Sequence, residues 1–204
     1  KEITPPTGYL ADEEEHDLVC NYEGDLVAEV KRDCTSLEQV MKQPFQIIKA
    51  ANNGKTDADL LKGAGFTAYL ESSLTKKADG SYDFDSATPV VIGENGATEM
   101  FTDEKGYACS IALPYGTYIV RETTTPHNYT PVDDFTVRIT ENNPNQPQTW
   151  RVLLDDEFEA KLKIIKQDDE TKKAVLQKNT EFKIFNMDTG KYVEQVTTYP
   201  TTVK

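Results

Sequence analysis

Positive charge, histidine and pairable cysteine are all scarce in this chain of 204 residues. Lys plus Arg number 22 against 35 Asp plus Glu, a net charge of −13, so phosphate backbones and anionic lipid are repelled rather than attracted. Nucleic-acid partners and membrane contact are thereby disfavoured. No apolar run approaches the ~20 residues that span a bilayer. Residues 1–10 (KEITPPTGYL) lack the charged-then-apolar layout of a secretory leader, so the chain reads as an internal segment of something longer. Cys20, Cys34 and Cys109 are an odd count without CxxC spacing, which indicates neither a zinc site nor a disulfide framework. They are expected as buried thiols, with a Cys20–Cys34 disulfide as the alternative. HExxH, GxSxG, GxGxxG and the P-loop are all missing, which argues against turnover catalysis and leaves no metal or cofactor to expect.

What is present is alternation. Residues 45–49 (FQIIK), 66–70 (FTAYL), 118–122 (YIVRE), 135–139 (FTVRI) and 150–154 (WRVLL) are short runs bounded by Gly, Pro, Asn or Asp. Period-2 runs of this length between turn residues predict antiparallel strands in a sandwich. Residues 36–42 (SLEQVMK) are the one stretch open to a capped helix, with a linker turn as the alternative. Asp79, Asp83 and Asp85 miss calcium-loop spacing and predict a polar hairpin.

The same signals recur. Glu2, Pro6 and Tyr9 share the spacing of Glu122, Pro126 and Tyr129, an offset of 120 residues (122 minus 2). Lys49 at the end of FQIIK and Lys166 at the end of LKIIK are offset by 117 (166 minus 49). Two independent pairs with nearly one offset imply a tandem array with a period of about 120 residues. The expected organisation is the C-terminal part of one repeat over residues 1–38, a complete repeat over 39–158, and the N-terminal part of a third over 159–204. Fold class is therefore expected to be all-β: tandem Greek-key (Ig-like/prealbumin-like) β-sandwich domains, one complete and two partial.

Five motifs occur in order: FQIIK, LLKGAGFTAYL at residues 60–70, FTDEKGYA at 101–108, LPYGTYIVRETTTPHNY at 113–129, and WRVLLDD at 150–156. Together they resemble the CnaB-type, SpaA-like isopeptide-forming domains of Gram-positive surface proteins and pilins. The resemblance implies that Lys49 attacks a side-chain carboxyl on the last strand while Glu122 shuttles protons between the two. It also implies an extracellular, cell-surface or cell-wall-anchored location, with neighbouring repeats of the same protein as partners. The expected function is a structural stalk or shaft segment of an adhesin or pilus protein, with chemistry limited to a single self-cross-linking turnover. The alternative is an adhesin module whose loops bind host glycan or matrix protein.

Two aspartates compete for the bond. Side chains on a strand alternate faces, so Asp156 lies with Val152 and Leu154, and Asp155 with Arg151 and Leu153. The more apolar face is the expected core face, which favours Asp156 and leaves Asp155 as the alternative. Tyr118, Val120 and Glu122 share a face, which places Glu122 in line with the core. Lys166 would be the nucleophile of the third repeat, and its partners would lie beyond residue 204.

Overall fold

Each alternating run folds as a strand. The computed structural model describes residues 1–55, 58–159, 162, 164–175, 182–187 and 190–193. By contact density the chain divides into two units, Lys1–Phe158 and Glu159–Lys204.

In the first unit seven strands make two sheets. They are β1 (Gln46–Ala51), β2 (Gly65–Leu70), β3 (Glu99–Phe101), β4 (Tyr107–Cys109), β5 (Gly116–Thr124), β6 (Phe135–Ile139) and β7 (Arg151–Asp155). One sheet has the order β6-β5-β2-β3, all antiparallel. The other has the order β7-β1-β4, with β4 antiparallel to β1 and β7 parallel to it. Both sheets supply one core: Phe45, Ile47 and Ala108 from the three-stranded side, and Phe66, Ala68, Met100, Tyr118, Val120, Val137 and Ile139 from the other. Alternation drives this arrangement, since only one face of each strand can be covered by the opposite sheet. Each fully buried large side chain, such as Phe45, Phe66 or Ile139, contributes roughly 1.5–3 kcal/mol. The fold is an all-β sandwich of two packed sheets, as expected.

Shorter ladders flank the sandwich. Tyr9–Leu10 pairs with Gln39–Val40, and Lys42–Gln43 pairs with Leu113–Pro114. Residues 36–42 are thus neither helix nor simple linker: strand pairing with distant partners overrides their weak capping signal. Thr75–Lys76 and Tyr82–Asp83 form the expected hairpin, and Asp79 caps its turn by accepting hydrogen bonds from Ser81 N and Oγ.

The cysteines depart from expectation in burial. All three are free; Cys20 and Cys34 are exposed and Cys109 half-buried. Residues 11–38 hold no strand or helix, so no sheet face exists there to cover a thiol. In the second unit Phe185–Asn186 pairs with Lys191–Tyr192, and Lys166 is exposed. Residues 176–181 lie outside the described residues.

Candidate functional site

β1, β5 and β7 each deliver one charged side chain to the same buried point. On β1 the core face reads Ile47, Lys49, Ala51, and the side chain of Lys49 is fully buried. On β5 the core face reads Tyr118, Val120, Glu122, and the Glu122 side chain is equally enclosed. Lys49 Nζ donates to Glu122 Oε2 at 2.6 Å and also to Asp155 Oδ1. Glu122 Oε2 accepts a second hydrogen bond, from Val132 N at 3.0 Å. Above the ammonium lies the ring of Phe66, 5.5 Å from Nζ to the ring centroid and itself edge-on to Phe135. An apolar lid thus covers an ionic cluster.

The last strand presents the face opposite to the one expected. Asp155 is fully buried and meets Lys49, whereas the exposed Asp156 accepts a hydrogen bond from Asn52 Nδ2. Register explains the correction. In the parallel pairing Leu153 stands beside Lys49 and Asp155 beside Ala51, and neighbours across a ladder share a face. Since Lys49 faces the core, so do Leu153 and Asp155, and Val152 and Leu154 are left exposed. Arg151 gave a misleading polar signal, because its guanidinium lies over the Phe135 ring at 5.8 Å and such a stem can cover apolar surface.

One ammonium between two carboxylates leaves the cluster short of positive charge, and burial makes that costly by several kcal/mol per ion. Glu122 Oε1 and Asp155 Oδ2 are buried and accept no hydrogen bond. Burial pushes the Asp155 carboxyl up to about 6; the hydrogen bond and charge of Lys49 oppose this, while the charge of Glu122 reinforces it. A proton on Asp155 makes the cluster neutral and gives the carboxyl a donor. The site therefore holds an amine, an electrophile-ready carboxyl and a second carboxylate within proton-transfer reach.

Backbone features that hold this geometry lie in the GAGF and TDEKG segments. Thr102 Oγ1 donates to the Leu61 carbonyl and accepts from Ala64 N at 2.9 Å. Asp103 Oδ1 accepts from Lys105 N and Tyr107 N, which turns the chain so that the Gly106 carbonyl accepts from Lys49 N at 2.7 Å. Gly106 has φ of +64°, and a Cβ there would collide with the Lys49 carbonyl oxygen. Gly106→Ala is expected to lower unfolding stability by about 2–3 kcal/mol, from a strained φ plus a backbone clash. Urea unfolding would show it as a lower midpoint. Gly80→Ala is the control, since it shares the positive φ but meets open space, and should cost about 1 kcal/mol.

Opposite Glu122 the ladder between β5 and β2 slips, with Glu122 paired to Phe66 and Thr124 to Gly65. This bulge beside the glutamate is the kind of irregularity that re-aims a side chain. Gly65 admits it, because a Cβ would meet Phe101 and Thr124 at 2.8 Å. Thr102 and Gly106 lie in FTDEKGYA, one of the motifs of the resemblance, but the sequence assigns neither of them, nor Val132, a role at the site.

Among the described residues one group brings metal-type donors together, Asp12, Glu14 and His16, within 4.8 Å of one another. Its carboxylate is already engaged: Asp12 accepts from Ser36 Oγ and Glu14 N and pairs with His16 Nε2. Hydrogen bonds from His16 and Ser36 hold its carboxyl well below the usual range. No helix among the described residues is long and apolar enough to cross a membrane.

Among solved structures the chain is similar to a minor pilin of Streptococcus agalactiae, at 16% identity over 63% of this chain and 51% of that one, TM-score 0.46. It is similar to the TIE protein of Bacillus anthracis at 23% identity over 95% of this chain and 30% of that one, TM-score 0.45. The shaft pilin spaA of Lactobacillus rhamnosus GG gives 20% identity over 74% of this chain and 64% of that one, TM-score 0.43. In each case the chain spans less than two thirds of the relative's length. No curated protein matches it. Residues 44–151 match the model of the SpaA family, described as a prealbumin-like fold domain. That match covers more than half of the chain, from just before β1 to the first residue of β7, and the chain belongs to the SpaA prealbumin-like family.

Proposed function

We propose that this chain is a structural segment of a Gram-positive surface or pilus protein whose domain over residues 39–158 clamps itself with a Lys49–Asp155 isopeptide bond. The observation that carries the reading is the fully buried cluster of Lys49, Glu122 and Asp155 with two orphaned carboxylate oxygens. Three charges in an apolar core are costly to retain. Condensation removes two of them.

In the step proposed, Glu122 takes a proton from the Lys49 ammonium, and the neutral amine attacks Cγ of the protonated Asp155 carboxyl. The Nζ–Cγ bond forms, a C–O bond of Asp155 breaks, and Glu122 passes its proton to the departing hydroxyl and takes up the second proton that Nζ releases. The products are an amide and one water, and Glu122 ends in the protonation state from which the attack began. Desolvation keeps the reactants neutral and excludes competing water, and contact replaces a bimolecular encounter. The reaction happens once per chain, so the protein is not an enzyme in the turnover sense. Membership of the SpaA family supports an extracellular location, with adjoining repeats or pilin subunits as neighbours. Lys166, exposed and with no such cluster around it among the described residues, stays unreacted in this reading.

Intact mass tests it. Wild type is expected to be lighter than its sequence by one water, roughly 18 Da, as a condensation requires. Asp155→Ala should show the full sequence mass. An unshifted wild type overturns the reading.

A further inference from the structure

Adjacent aspartates at the end of β7 pose a problem of register. A slip of one residue along β1 would carry Asp156 into the position of Asp155 and turn every β7 side chain to the other face. Apolar burial does not oppose that slip. Val152 and Leu154 are 62% and 47% exposed; slipped, they would turn inward, while Arg151 and Leu153 would turn out. β7 is also an outer strand with β1 as its one ladder partner. Something other than the hydrophobic pattern sets the observed register.

The polar contacts just past the ladder do so. Its last pair is Asp155 with Ala51. The next residue, Asn52, donates its main-chain N–H to the Asp155 carbonyl at 2.7 Å and its side-chain Nδ2 to Asp156 Oδ1 at 2.7 Å. On the other side the Asp156 carbonyl accepts from Thr130 N at 2.9 Å and Thr130 Oγ1 at 3.2 Å. Phe158 N then donates to the Asn128 carbonyl at 2.8 Å. Asp156 is thus held by its side chain to the continuation of the lysine strand and by its main chain to the loop that follows the glutamate strand.

We infer that Asn52 and Asp156 form a register lock that selects Asp155 as the residue joined to Lys49. This rests on the isopeptide reading above and gives Asp156 a positioning role in place of the reacting one. Slippage would forfeit the Asn52–Asp156 contact, since the longer Glu157 would stand there, whereas the Thr130 donors would still meet a main-chain carbonyl.

The test uses full-length chains carrying a photocaged lysine at position 49, so that light starts the reaction, followed by mass and peptide mapping of the joined segments. Wild type should give a single Lys49–Asp155 linkage. Asn52→Ala and Asp156→Ala remove the same hydrogen bond from its two ends, and both should slow bond formation by roughly threefold to tenfold, the scale of one lost hydrogen bond. In Asn52→Ala a fraction of the product should shift to residue 156, a readout that general loss of stability would not produce. Asp156→Asn retains an acceptor for Asn52 and should restore the wild-type rate. Wild-type rates in both alanine variants, or an Asn52→Ala linkage confined to Asp155, overturn the inference while leaving the cross-link itself intact. A wild type without any linkage overturns the isopeptide reading instead.

Discussion

Glu122→Ala is expected to emerge at the full mass of its own sequence, without the deficit of roughly 18 Da that the joined wild type shows against its sequence, and with Lys49 and Asp155 both present and unjoined. Removing the glutamate takes away the group that accepts the amine's proton and returns it to the leaving hydroxyl. Glu122→Gln separates that role from mere contact, because the amide keeps an oxygen for Lys49 and Val132 N but cannot take a proton. General acid–base catalysis contributes roughly a hundredfold to ten-thousandfold, so uncaged Glu122→Gln should react at least about a hundredfold more slowly than wild type. Reaction of Glu122→Gln at the wild-type rate would exclude proton transfer by this residue. Stability follows the bond. Lys49 and Asp155 are 106 residues apart, and closing a loop of that size constrains the unfolded chain by about 4–5 kcal/mol on the loop-entropy account. Glu122→Ala should lose that contribution and in addition leave the Val132 N–H without its acceptor.

The second large effect is on pH. Asp155 must be protonated to be an electrophile, and burial raises its carboxyl to about 6. The protonated fraction is then high at pH 5 and falls about tenfold per unit well above 6, so light-started bond formation should slow by roughly fiftyfold between pH 6 and 8. The lysine's proton passes to Glu122 inside the site and does not enter this dependence. Stability of the unreacted fold moves in the same direction. A carboxyl raised on folding contributes stability below its ordinary pKa near 4, and that stability is lost as pH rises through about 6. Rates that stay flat or increase from pH 6 to 8 would show that the carboxyl does not react in its protonated form.

Much of this site is legible in the sequence, and what is not has a definite cause. Lys49 and Glu122 lie on strands whose other core-facing residues, Ile47 on one and Tyr118 and Val120 on the other, are apolar, so alternation alone placed both charges inward. β7 broke the rule because it pairs only with β1 and leaves Val152 and Leu154 exposed. Its apolar residues mark the outer face, and the carboxyl that meets Lys49 sits on the face shared with an arginine. Alternation gives two faces but no sign, and here the sign came from register with Lys49. Residues 1–38 were harder still. Tyr9 was recognised as part of a repeated motif, yet its pairing with Val40 depends on a partner some thirty positions away that no local pattern announces.

The parallel pairing of β7 with β1 has a directional consequence. A chain arriving along β1 and leaving along β7 departs with the heading it came in on, so this domain carries the polypeptide forward rather than turning it back. Pulling the two ends apart drags these strands past each other lengthwise, and the rungs from Ile47–Arg151 to Ala51–Asp155 resist together instead of opening one at a time like a zip.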